Sequence, residues 1–343
     1  MSTTFLEQSA ILALSFVVIL IGSELFTNGI EWAGHKLGVA EAAVGSLFAA
    51  VGTALPETFV PAVALLSPGE GAHSRVDVGI GAIIGAPLML STIALFVMGV
   101  AVLIFRARRD SQVLTVNRQD ARRDLLFFLP VFALPIAAGM ANPNGAVRVL
   151  LAGALIAIYA YYTVIMLRLE RRPDSVVEHG LYLESLVGGR PDDPRGLLTA
   201  VQVVAGVTAI FFGAHAFVDQ VILVSEYVSI NPGVLALILS PLATELPEKY
   251  NSVVWIRQGK DHLALANITG AMVFQSCIPV ALGLVLTPWQ LGGADLLAGA
   301  VAIGSSMVLY ATLRDGQIDP RTLMLGGAAY AAFLAALVAF DLL

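Results

Sequence analysis

Two five-residue stretches hold the residues best able to do chemistry: TALPE, Thr53–Glu57, and TELPE, Thr244–Glu248. Both stand inside long apolar runs. Proline has no N–H and its ring clashes with the preceding turn, so a helix that carries one frees a carbonyl oxygen about one turn back. In a membrane such backbone persists only where protein or a wet cavity surrounds it. Freed carbonyls and carboxylates are hard oxygen donors, suited to Na⁺, Ca²⁺ or Mg²⁺. An ionised Glu57 or Glu248 in mid-span needs an ion, a partner or water. Two carboxylates in one dry site repel each other, which raises affinity for a divalent cation or for protons. A blander reading makes each proline a kink and each glutamate half of a distant ion pair. The duplication speaks against it, because few basic side chains lie inside the apolar runs.

The elements that must position these motifs follow from composition. The chain has 343 residues, 57% hydrophobic and 13% charged, where a soluble domain is nearer a quarter charged. This composition predicts an all-α polytopic membrane protein. With roughly 20 residues per span, ten apolar stretches take up most of the chain: 9–34, 39–67, 76–105, 123–140, 145–168, 197–227, 232–256, 262–286, 292–313 and 322–342. The opening MSTTFLEQSA lacks the basic residues of a cleaved signal, so the first span is expected to be retained. Cys277, the single cysteine, excludes an intrachain disulfide and a thiol metal cluster.

The polar interval 171–195 divides the spans into two sets of five, residues 1–170 and 196–343, and reads as a linker. Basic residues gather in alternate loops: Arg106, Arg108, Arg109, Arg118, Arg122 and Arg123 between spans 3 and 4, and Arg171, Arg172, Arg190 and Arg195 in the linker. Arg257 and Lys260, then Arg314 and Arg321, follow in the next two such loops. By the positive-inside rule these loops and the linker are cytoplasmic and both termini face outside. RARRD and RQDARRD are expected to set topology and meet anionic lipid heads.

A shift of 191 residues lays Gly22 on Gly213, Phe26 on Phe217, Thr53 on Thr244, Pro56 on Pro247 and Glu57 on Glu248 without a gap. A shift of 185 lays GAIIGA, Gly81–Ala86, on ANITGA, Ala266–Ala271. Five spans are an odd number, so the second copy enters the membrane upside down, the inverted repeat of secondary transporters. Inversion brings the two proline-bearing helices together near the midplane.

At these residues the chain resembles the cation/calcium exchanger superfamily and its sodium/calcium exchangers. That pattern is roughly G-T-S-L-P-E followed by a G-N-x-x-G-S-N/D segment; here it reads GTALPE then GAIIGAPLML, and ATELPE then ANITGAMVFQS. The resemblance implies that Glu57 and Glu248 are the central ion ligands, that Thr53 and Thr244 assist them, and that Asn267 and Gln275 take further ligand positions. Departures stand beside it. The motif serine is Ala54 in one copy and Glu245 in the other; Ala82, Ala86 and Ala271 replace an amide and two hydroxyl residues.

Glu245 adds a carboxylate three residues before Glu248. Lys249 could neutralise it or snorkel away; inside the site it would supply one cationic charge and lower metal affinity. Glu24 with His215, and Asn28 with Asp219, occupy equivalent repeat positions, suited either to wet membrane faces or to an ion-access route. Neither a nucleotide loop nor a dinucleotide fingerprint occurs, so no enzyme activity, cofactor or nucleic-acid partner is implied, and nothing fixes an oligomeric state. The expected function is secondary cation antiport in the plasma (inner) membrane, with Ca²⁺ exchanged for Na⁺ or H⁺ by alternating access at a midplane carboxylate site. The alternatives are proton-coupled exchange of K⁺, Na⁺ or Mg²⁺, and a non-transporting sensor that keeps the fold.

Overall fold

The computed structural model describes residues 3–36, 49–67, 72–109, 111–169, 180–190 and 193–343. Eight of the described helices are long and apolar enough to cross a membrane, and two shorter apolar helices, Pro56–Leu66 and Pro232–Thr244, fall at the proline-bearing positions. The chain is an all-α polytopic membrane protein.

In the first half, α1 (Thr3–Lys36) precedes α2 (Ala49–Leu66), and α3 (Ala72–Met89) runs through a π turn (Leu90–Ala94) into α4 (Leu95–Phe105). Then come α5 (Arg118–Met140) and α6 (Gly145–Leu169). The π turn follows Pro87, whose ring cannot continue the i to i−4 ladder. Ser91 Oγ donates to the Pro87 carbonyl at 2.7 Å and Thr92 Oγ1 to that of Leu88, so side chains occupy the loosened carbonyls. A short helix, α7 (Tyr182–Leu186), lies in the linker. The second half holds α8 (Gly196–Val228), α9 (Pro232–Thr244), α10 (Leu246–Arg257), α11 (Asp261–Leu286), α12 (Gly293–Thr312) and α13 (Pro320–Ala339).

The span expected over 232–256 is therefore two helices, interrupted at Glu245 (φ −98°, ψ 9°). Pro247 lies in the first two positions of α10, where its missing N–H costs nothing, so the helix restarts there instead of continuing. Its repeat mate differs: α2 runs unbroken through Pro56 and Pro61. Only the second copy carries the expected break.

Small residues set how the halves meet. α1 crosses α8 with their backbones in contact: a Cβ at Gly22 would lie 2.8 Å from Ile210 N, and one at Gly206 would lie 2.6 Å from Phe26 N. Likewise α3 lies against α9, where a Cβ at Gly81 or Gly85 would strike the carbonyl oxygens of Gly233 or Leu237. Such close approach is what small residues permit between membrane helices.

The linker is held to this crossing. Asn28 Oδ1 accepts from Tyr182 N at 3.2 Å and from Gln202 Nε2 at 2.8 Å, Tyr182 OH donates to Glu24 at 2.6 Å, and Glu184 takes the Arg195 guanidinium at 2.9 Å.

Three of the basic loops share one face. β1 (Leu114–Thr115) pairs antiparallel with β2 (Gln317–Ile318), joining the loop after α4 to the loop after α12. Arg109 crosses to the junction of α10 and α11, with its guanidinium 2.6 and 2.5 Å from the two carboxylate oxygens of Asp261 and 2.7 Å from the Ile256 carbonyl. Thr115 N adds a bond to Asp261 at 2.9 Å. Two of the alternate loops meet through Gln290 and Asn142 at 3.0 Å.

Two arginines of these stretches turn inward. Arg109 is 3% exposed on Asp261, and Arg122 donates to Tyr310 OH at 2.6 Å with its guanidinium 4.6 Å above that ring. These two serve packing between helices rather than lipid heads, because each finds a buried acceptor or an aromatic face.

Candidate cation site

The repeated motifs meet where α2 and the α9–α10 break lie against α3 and α11. Glu57 projects from α2 and is 5% exposed, and neither of its carboxylate oxygens has a hydrogen-bond partner among the described residues. Glu248 stands in the first turn of α10 and is 2% exposed. The positive end of the helix dipole favours a carboxylate at that position. Glu57 lies within electrostatic reach of Glu248, Glu245 and Lys249. Both motif glutamates are thus buried, and each feels the other's charge.

Glu245 occupies the break itself, fully buried, and settles the choice left open for Lys249. The ammonium lies 3.4 Å from Glu245 Oε2 and donates to the Pro241 carbonyl at 3.2 Å. It neutralises the extra carboxylate and does not snorkel to water. Gln275, 1% exposed on α11, lies against Glu245, and its Oε1 has no hydrogen-bond partner among the described residues.

Asn267 reaches the same place from α11. Its Nδ2 donates to the Glu248 carbonyl at 3.0 Å and to Ser252 Oγ at 3.3 Å, while Ser252 Oγ donates to the Ala264 carbonyl at 3.1 Å. The amide thus ties the start of α10 to α11 and holds Glu248 in place through its backbone. Thr244 Oγ1 donates to the Ser240 carbonyl at 3.2 Å, one turn back on α9. Thr53 belongs to α2, and its side chain lies outside the described residues. Among the described residues no group of three or more His, Cys, Asp or Glu side chains forms a ready-made metal cage. The arrangement is a carboxylate pair with neutral oxygens beside it.

The other repeat-related pairs take structural partners. Glu24 and Asn28 hold the linker. His215 Nε2 lies 3.0 Å from Ser67 Oγ, and Asp219 takes the Arg75 guanidinium at 2.5 Å.

A second buried polar centre went unread in the sequence. Asp124, 1% exposed on α5, accepts from Thr269 Oγ1 at 2.7 Å and from Tyr162 OH at 3.1 Å, with Arg123 Nη2 at 3.5 Å. Asp124 closes the stretch RQDARRD, where it looks like the last charge of a basic loop. A mid-helix Thr and Tyr give no periodic signal. Only their convergence from three helices marks the cluster.

The pattern of the sodium/calcium exchanger protein family matches residues 8–168 and again 198–341, one segment in each half. The chain belongs to that family. The inner membrane protein YrbG of Escherichia coli (strain K12) is 22% identical to it over 289 residues, 83% of this chain and 82% of that protein. In fold this family member resembles the crystal structure of the H⁺/Ca²⁺ exchanger CAX, with a TM-score of 0.76 at 17% identity over 96% of this chain and 82% of that one. It also resembles the sodium-calcium exchanger NCX_Mj soaked with Na⁺ and Sr²⁺, at a TM-score of 0.54 and 19% identity over 96% and 99% of the two chains. Exchangers are secondary transporters, so the carboxylate pair falls in a protein whose family moves cations.

Proposed function

We propose that this protein is a secondary antiporter that exchanges Ca²⁺ for Na⁺ or H⁺ at the Glu57–Glu248 pair. One observation carries the reading: Glu57 is buried with both carboxylate oxygens free of hydrogen-bond partners among the described residues, and it faces the charge of Glu248. A buried charge without compensation is costly, so the pair is stable when a cation or protons neutralise it. Gln275 Oε1, Thr244, Asn267 and Thr53 are the neutral oxygens available to complete a cation's shell.

Na⁺ or H⁺ competes with Ca²⁺ for the same two carboxylates. The neutralised site lets the protein change access from one side to the other; the empty, doubly charged site resists the change. α1 and α8 form the part that shifts against the remaining helices. Ala54, Ala82, Ala86 and Ala271 stand where other members offer oxygen ligands, and this loss favours H⁺ as counter-ion, since a proton needs only a carboxylate. CAX, an H⁺/Ca²⁺ exchanger by name, supports the same choice. We place the basic loop face and the 171–195 linker in the cytoplasm, with residues 1–170 and 196–343 as the two inverted repeats in the inner membrane.

The test is ⁴⁵Ca²⁺ uptake into proteoliposomes, driven by an outward Na⁺ gradient and, separately, by a pH gradient. Uptake with at least one gradient is expected, together with its loss in Glu57→Gln and in Glu248→Gln. Uptake that needs neither gradient, or that survives both substitutions, refutes the mechanism.

A further inference from the structure

Lys249 has no part in the exchange just described, yet it is among the least comfortable residues in the protein. Its side chain is 8% exposed. It stands in the first turn of α10, where the helix dipole opposes a positive charge. Removing an ammonium from water is costly even after the surroundings relax.

What surrounds the ammonium is informative. Glu245 Oε2 lies 3.4 Å away, and the Pro241 carbonyl, at the end of the interrupted helix, accepts from it at 3.2 Å. A carboxylate and a main-chain carbonyl at a helix break are the ligands with which discontinuous membrane helices hold Na⁺. The Gln275 side chain lies against the same Glu245, and its buried Oε1 has no hydrogen-bond partner among the described residues. An alkali cation in the ammonium's place would meet hard oxygen donors of the kind such ions prefer.

We infer that the Lys249 ammonium is tethered in the position of a monovalent cation, held by Glu245 and the Pro241 carbonyl beside Gln275. This exchanger therefore carries as a side chain one charge that it would otherwise bind from solution. The consequence for transport rests on reading Glu57 and Glu248 as the cargo pair. Three buried glutamates and one buried lysine leave two negative charges, which one divalent cation or two monovalent ions balance. No additional alkali ion is needed for the cycle, and none is carried at this position.

The test compares wild type, Lys249→Met and the double variant Glu245→Gln/Lys249→Met as full-length protein in detergent. Equilibrium binding of ²²Na⁺ and ⁸⁶Rb⁺ is measured against choline. Lys249→Met is expected to gain one saturable monovalent site per chain beyond the wild type, and the double variant to lose it. Where a pH gradient drives ⁴⁵Ca²⁺ uptake in proteoliposomes, that of Lys249→Met becomes dependent on added Na⁺ or K⁺, while that of the wild type does not. A simple structural ion pair predicts no new site, so absence of the gain, or a gain that persists in the double variant, overturns the inference. If Lys249→Met is too unstable to purify, its melting in membranes gives the same decision. Stabilisation by Na⁺ or K⁺ over choline beyond that of the wild type supports the tethered cation, and a stabilisation no greater than the wild type's overturns it. A wild type that moves no Ca²⁺ removes the exchanger reading but leaves the binding result standing.

Discussion

Replacing Arg109 with methionine isolates the clamp between the two halves. The guanidinium makes two bonds to Asp261, at 2.6 and 2.5 Å, and one to the Ile256 carbonyl at 2.7 Å, and both partners of the ion pair are almost fully buried. Methionine keeps much of the stem's packing but, among the described residues, leaves the Asp261 carboxylate with only the Thr115 amide. Removing one partner of a buried pair costs about 3–5 kcal/mol, because the other charge stays behind uncompensated. At about 1.4 kcal/mol per tenfold, the open population rises by two to three and a half decades. The single cysteine reads this directly. Cys277 is fully buried on α11, the helix that Asp261 begins, so its labelling by a thiol-reactive dye follows opening of the bundle. Arg109→Met should label faster by more than a hundredfold where labelling is limited by opening. Arg109→Met/Asp261→Leu removes both charges and should recover at least half of the loss. Labelling of Arg109→Met at the wild-type rate, or a double variant worse than the two singles together, would refute the reasoning.

Two further outcomes follow from contacts already given. Gly85→Ala places a methyl on the Leu237 carbonyl, and overpacking of this kind costs about 1–3 kcal/mol; Cys277 labelling should accelerate, whereas Gly153→Ala, with nothing within 4 Å of the new atom, should be neutral or slightly protective. Asn267→Ala removes the donors to the Glu248 carbonyl and to Ser252, each bond worth about 1 kcal/mol. Ca²⁺ affinity, read from the concentration dependence of ⁴⁵Ca²⁺ uptake, should fall about tenfold with little change in Cys277 protection, and an unchanged affinity would rule out a role in holding Glu248.

Hydropathy and the 191-residue repeat made the fold legible, because spans are long, the apolar contrast is large and the Pro-Glu pairs recur without a gap. Glu57 and Glu248 stand out in the sequence for a physical reason as well: a carboxylate in an apolar run has few tolerable environments, and the structure buries both. Direction was harder. The same Pro-Glu pair interrupts the helix at Glu245 in one copy and leaves α2 continuous in the other, and that outcome depends on neighbours that a motif does not contain. Lys249 could face Glu245 or the surface, and only the break at Glu245 aims it inward. Arg109 and Asp124 sit in stretches whose composition says polar loop, yet each is buried by a partner more than 140 residues away, Asp261 and Thr269 respectively. Charge counted along a chain gives sidedness; it does not tell which charge the fold takes inside.

The bonds from Asn28 and Glu24 to the linker have one more consequence. Tyr182 is fastened to α1, and Glu184 is fastened to the start of α8 through Arg195. The short helix between the halves thus rides on the crossed pair α1–α8 like a splint across two limbs. If that pair is the part that shifts, as proposed above, this part of the connection travels with it and does not act as a spring between moving and stationary parts. Changing its bonds would then alter how stiff the mover is, and leave untouched how far it goes.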